Sequence, residues 1–144
     1  MVDRQLRRRG IQDENVLRAM EEVPRECFLS PERRDEAYRD GAVAIGEGQT
    51  MSQPWIVACM TMLAEPAPHK HVLEVGTGSG YGAAVLSRCC RDVVTIAGLP
   101  IQIRTNPYRT GTRFRTDWRR LGRPSWSWDK DLFVPTVGWL VNRQ

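Results

Sequence analysis

Val72-Leu73-Glu74-Val75-Gly76-Thr77-Gly78-Ser79-Gly80-Tyr81 is the stretch that decides the fold of this 144-residue chain. The β-branched and apolar run from Val72 to Val75 fits a strand buried in a parallel sheet. The alternating glycines that follow let the backbone turn sharply and present N–H groups at the start of the next helix, where a nucleotide-type ligand can be held. A tight turn with no ligand satisfies the same glycines, so the flanking sequence has to separate the two readings.

Downstream, Tyr81 to Cys90 reads as a helix and Val93 to Ile96 as a second strand. A crossover of this length makes the two strands parallel and the connection right-handed, with a ligand expected at the carboxyl ends of the strands. The spacing Gly76, Gly78, Gly80, Gly82 departs from the G-x-G-x-x-G of dinucleotide sites, to which only Gly78, Gly80 and Ala83 conform. Such sites also place an acid at the end of the second strand to hold the ribose, and here that place is Ile96-Ala97. With no acid there and no His or Tyr in a catalytic setting, a dehydrogenase is the weakest candidate.

Upstream, DENVLRAMEEVP offers Asp13 as an N-cap, Val16, Leu17, Met20 and Val23 as an apolar face, and Pro24 as a stop. Pro31 to Tyr38 reads as a second charged helix and Ala42 to Ile45 as a short extended piece. In GEGQTMSQPW, Gly46 to Trp55, Pro54 suits the first turn of a helix whose Ile56, Met60 and Leu63 should face the core. Ser52 then lies at or just before a helix N-terminus, which favours an anion; an ordinary capping role explains it equally well from local sequence.

With 41% hydrophobic and 26% charged residues the chain is of globular composition, and no window approaches the roughly 18 apolar residues of a membrane span. MVDRQLRRRG lacks the apolar stretch of a secretory leader, so a cytoplasmic protein is expected. Cys27, Cys59, Cys89 and Cys90 show no metal-type pairing and are read as reduced thiols, and His69 and His71 as solvated residues of the loop PAPHKH. No metal is expected.

The net charge of +4 conceals a division. Residues 1–96 carry 11 Arg and 1 Lys against 14 acids, whereas 97–144 carry 8 Arg and 1 Lys against 3 acids, with four of the five tryptophans. The first part is therefore read as the N-terminal part of a domain and the second as a divergent, basic, poorly ordered tail.

Three stretches of the first part, QLRRRGIQDENVLRAMEEVPRECF, AYRDGAVAIGEGQTMSQPWIVACMTMLAE and VLEVGTGSGYGAAVLS, together resemble the protein-L-isoaspartate O-methyltransferase family over about residues 4–96. The resemblance implies an α/β fold of the S-adenosylmethionine-dependent methyltransferase type, Rossmann-like and doubly wound, here truncated after the first β-α-β unit. It implies S-adenosylmethionine as cofactor and isoaspartyl-containing proteins or peptides as partners of a monomer, in a repair reaction that methylates a carboxylate. By the same resemblance Ser52 matches the active-site serine. Gln49, Thr50, Met51 and Ser52 line the place where methyl and carboxylate meet, and Glu74, Gly76, Thr77, Gly78, Ser79 and Gly80 belong to the cofactor cradle. An inactive remnant that binds the cofactor weakly is the alternative.

The resemblance ends after VVTI, where the family continues with a ribose-holding glutamate. The Arg, Trp, Pro and Thr bias beyond that point is read as the product of a shifted reading frame beginning near residues 96 and 97. Written as codons and shifted forward one base, Asp117-Trp118-Arg119-Arg120-Leu121 permits Thr-Gly-Asp-Gly-Ser, which resembles the family's next motif. Arg with Trp could also serve single-stranded nucleic acid through phosphate attraction and base stacking, but nothing in the spacing of Trp118, Trp126, Trp128 and Trp139 presents the rings for it. Nucleic acid is not an expected partner.

Overall fold

Asp13 sets the first helix. Its carboxylate accepts hydrogen bonds from the backbone N–H of Asn15 at 2.9 Å and of Val16 at 3.2 Å, so α1 (Glu14–Glu22) begins where the sequence placed its cap. Val16, Leu17, Met20 and Val23 are all buried, as their spacing requires. Before it, the basic N-terminus forms two short helical turns, Val2–Leu6 and Arg7–Arg9, and Leu6 is fully buried. The computed structural model describes residues 1–96 and the backbone of two further strands, 112–115 and 132–135. The codon reading at 117–121, the four tail tryptophans and Ala97 lie outside the described residues.

After a 3-10 turn at Pro31–Glu36, where a longer helix was expected, β1 (Val43–Gly46) and β2 (Gln49–Met51) pair antiparallel around Glu47 and Gly48. Three- and four-residue strands give no alternation to read, which is why Gln49 to Met51 reads in the sequence only as a lead-in to the next helix. That helix, α2 (Pro54–Leu63), starts on Pro54 as anticipated, but its buried face is Pro54, Val57, Ala58 and Thr61. Leu63, expected in the core, is 73% exposed, and Ile56 and Met60 are only partly covered. PWIVACMTML has no polar side, so spacing alone cannot say which of its apolar stripes turns inward.

The glycine stretch lies within one parallel sheet. β3 (His71–Val75), α3 (Tyr81–Cys89) and β4 (Asp92–Ile96) form the β-α-β unit, in register from His71 opposite Asp92 to Val75 opposite Ile96. His71, expected in the loop, is the first residue of β3, and its Nδ1 lies 3.1 Å from an Asp92 carboxylate oxygen.

The sheet does not stop there. β5 (Thr112–Arg115) pairs with β4 and β6 (Leu132–Pro135) with β3, both parallel, giving the order β5-β4-β3-β6. The bare edges that follow from a stop after the second strand are thus covered by two four-residue strands, too short to show a period in so biased a segment. The chain lays β4 and β5 on one side of β3 and β6 on the other. Strand order reverses at β3, and the carboxyl end of β3 is where open α/β sheets hold their ligands. α3 packs against β4, and α1 and α2 pack against α3.

Candidate functional site

The loop leaving β3 is tied down before it turns. The backbone N–H groups of Gly76 and Thr77 both donate to the carbonyl of Ile96, at 2.8 and 3.2 Å, so the loop begins by bridging to the end of β4. Gly80 N–H donates to Thr77 O at 2.8 Å and closes the turn ahead of α3. α3 therefore begins at the switch point, directly after the loop.

Beneath the loop lies a buried polar chain. Glu74 and Thr95 face each other across β3 and β4, and Thr95 Oγ1 donates to Glu74 Oε2. Thr95 Oγ1 also lies 2.6 Å from Thr77 Oγ1, and all three residues are at most 4% exposed. Buried polar groups are retained when satisfied, and here they fasten strand, strand and loop together. The side chains of Glu74 and Thr77, both assigned by resemblance to the cradle, are thus turned into the protein. Thr95, which reading the sequence missed, is legible once the strands are aligned, because the register sets a hydroxyl opposite an acid.

Gly78 carries the central geometry. It sits at φ +51°, and a Cβ built there would stand 3.8 Å from Ile45 Cδ1 and 3.9 Å from the carbonyl oxygens of Gly76 and Thr50. The glycine loop therefore lies beside the β1–β2 hairpin, with Gly78 facing the Ile45 side chain and the Thr50 carbonyl. Gln49, Thr50 and Met51 form β2, with Thr50 exposed and Met51 buried, and half-buried Ser52 follows directly. Ser79 is half-buried, and its Oγ lies 3.4 Å from the Tyr81 N–H.

The Ser52 segment is held from behind. Arg25, fully buried, donates from Nη2 to the Ser52 carbonyl at 2.9 Å and from Nε to the Ala37 carbonyl at 2.7 Å. Gln53, not Ser52, is the N-cap of α2, with no side-chain cap; its Nε2 donates instead to Asp40 at 2.6 Å. Trp55 Nε1 donates to the Arg9 carbonyl at 3.3 Å, and the Arg9 guanidinium lies 4.9 Å from the Trp55 ring centroid. Neither Arg25 nor Asp40 carries a local signal that would have found it in the sequence.

The four cysteines are free, and no cluster of metal-ligating groups occurs among the described residues. Burial pushes Cys89 up to about 12 and Cys90 up to about 11 from the ordinary 9.0. These raised values make the thiol form the one the fold favours, so their contribution is fully present below pH 9 and lost as pH rises through 11 to 12. A melting temperature followed from pH 7 to 11.5 should hold to about pH 9 and then fall. In a thiol-reagent titration at pH 8, exposed Cys27 should react at once and Cys89 and Cys90 only after denaturant is added.

Positive-φ glycine, helix N-terminus and switch point fit the backbone cradle of a nucleotide-type cofactor such as S-adenosylmethionine. The sugar end is less complete, since β4 ends at half-buried Ile96 without an acid. The fold defines an α/β protein of the doubly wound, Rossmann-like methyltransferase type, with the glycine loop beside the hairpin that leads to Ser52. The chain belongs to the protein-L-isoaspartate(D-aspartate) O-methyltransferase family, whose model matches residues 1–105. That family is one of S-adenosylmethionine-dependent methyltransferases.

Among its relatives, the protein-L-isoaspartate O-methyltransferase of Rhodopseudomonas palustris strain BisA53 is 59% identical over 91 residues, covering 63% of this chain and 42% of its own length. That of Methanoregula boonei is 54% identical over 99 residues, covering 69% and 46%. The chain thus spans less than half the length of these curated relatives. A solved protein-L-isoaspartate O-methyltransferase superposes with a TM-score of 0.57 at 30% identity, over 67% of this chain and 34% of that one. A Plasmodium falciparum structure titled for the same activity, in complex with S-adenosyl-L-homocysteine, gives 0.56 at 26%, over 68% and 48%. No helix among the described residues is long and apolar enough to cross a membrane.

Proposed function

We propose that this chain is a protein-L-isoaspartate O-methyltransferase that transfers a methyl group from S-adenosylmethionine to the carboxylate of isoaspartyl residues in damaged proteins. The observation that carries this reading is the closeness of the glycine loop to the β1–β2 hairpin, where Gly78 faces Ile45 and the Thr50 carbonyl two residues before Ser52. When bound, S-adenosylmethionine supplies an electrophilic methyl on a sulfonium. The backbone of Gly76 to Gly80 and the N-terminal amides of α3 would hold it, and Gln49 to Ser52 would receive the substrate carboxylate. That carboxylate is ionised at neutral pH, so the chain needs no strong base for the step. Alignment of the two reactants supplies the acceleration, and Ser52 acts as a hydrogen-bonding positioner, not as a nucleophile. Four free cysteines agree with a reducing compartment such as the cytoplasm.

The missing acid at the end of β4 favours one second reading, a remnant that binds the cofactor weakly and transfers nothing. A labelled-methyl assay on an isoaspartyl peptide, run beside calorimetry with S-adenosyl-L-homocysteine, separates the two. Transfer to the isoaspartyl but not the aspartyl peptide is the expected result; binding without transfer selects the remnant, and neither defeats both. Ser52→Ala should lower the transfer rate by about 10- to 100-fold, the worth of one hydrogen bond to a charged group, and leave binding of S-adenosyl-L-homocysteine within about threefold.

A further inference from the structure

We propose that Arg25 is a positioning residue that sets the spacing between the Ser52 segment and the cofactor loop; the inference rests on the methyltransferase reading above. One planar group touches both sides of the site. Its Nη2 holds the carbonyl of Ser52 itself, and its guanidinium carbon lies 4.6 Å from the ring centroid of Tyr81, the first residue of α3 and the one directly after Gly80. Tyr81 is in turn fixed by Phe28, in an edge-to-face contact at 5.5 Å, and by Met20 of α1, whose sulfur accepts from its hydroxyl at 3.5 Å. Arg25 therefore joins the Ser52 segment to a ring that is itself packed against Phe28 and Met20.

Packing alone does not account for an arginine here. The side chain is fully buried, and its partners among the described residues are two carbonyl oxygens and the ring and hydroxyl of Tyr81, with no carboxylate. Its Nη1 is buried with no hydrogen-bond partner. A buried cation so placed costs stability, and an apolar side chain of similar length fills such sites as well or better. The rigid fork is what an apolar residue or a lysine cannot supply, because a single ammonium cannot reach two carbonyls and stack on a ring at once. Methyl transfer rewards this precision, since displacing one reactant by about 1 Å can cost about 100-fold in rate.

Arg25→Lys and Arg25→Met test the proposal on the full chain. Both should lower kcat for transfer to an isoaspartyl peptide by about 30-fold or more, with the KM for S-adenosylmethionine within about threefold of wild type. In the unliganded protein, Arg25→Met should speed amide exchange across residues 49–53 by about tenfold and leave α1 as protected as in wild type. Unchanged kcat in Arg25→Met, or unchanged exchange at 49–53, overturns the proposal. So does a parallel loss of cofactor affinity and of α1 protection, which would make Arg25 a structural residue only. A wild-type chain that transfers no methyl defeats the functional reading instead, and the exchange result then decides whether Arg25 holds the segment.

Discussion

Gly82→Val should lower the unfolding midpoint by about 3 to 12 °C, the largest stability loss expected from any single substitution near the site. Gly82 is the second residue of α3, and a Cβ there would come within 2.5 Å of Glu74 Oε1. A carboxylate on a mobile side chain would swing away at little cost, but Glu74 is 1% exposed and held on its other oxygen by Thr95. The added methyl groups must therefore push α3 off the sheet or break the Glu74–Thr95–Thr77 chain, and overpacking of this kind costs about 1–3 kcal/mol. Thermal unfolding followed by circular dichroism reads the effect. Adding Glu74→Asp, which draws the carboxylate back, should recover part of the loss; a midpoint equal to wild type in Gly82→Val would mean that helix and strand are not packed as described.

Gly78→Val should weaken binding of S-adenosyl-L-homocysteine by at least about 30-fold while the fold survives. Two effects add. A β-branched residue at φ +51° carries a backbone penalty of about 1–2 kcal/mol, and its side chain would enter the space between the loop, Ile45 and Thr50. Gly78→Asn separates them, because asparagine tolerates the left-handed conformation and still fills the space. If occupancy of the seat dominates, calorimetry will show both variants impaired; if strain dominates, the asparagine variant will bind nearly as wild type.

The legible and illegible parts of the chain divide on physical grounds. Asp13 with its apolar face at Val16, Leu17 and Met20, and Val72 to Val75 with its glycines, were readable because each combines a strong period with a specific terminator. The β1–β2 hairpin and the strands β5 and β6 were not, since three or four residues are too few to show a period. The buried face of α2 was illegible for the opposite reason: with apolar residues on every side, only tertiary packing chooses Val57, Ala58 and Thr61 over Ile56, Met60 and Leu63. At the site, the glycines announced the loop, but that Glu74 and Thr77 point inward to Thr95 depends on strand register, a non-local property. Arg25 was invisible because its significance lies in partners 12 and 27 residues away along the chain.

On the proposed function, the glycine loop and the Ser52 segment line one hollow that takes S-adenosylmethionine. Amide chemical shifts of the isotopically labelled full chain, followed during titration with S-adenosyl-L-homocysteine, test it most directly. Residues 49–52 and 76–80 should move together and saturate with a single Kd. Movement confined to one of the two segments, or to neither at saturating ligand, would contradict it.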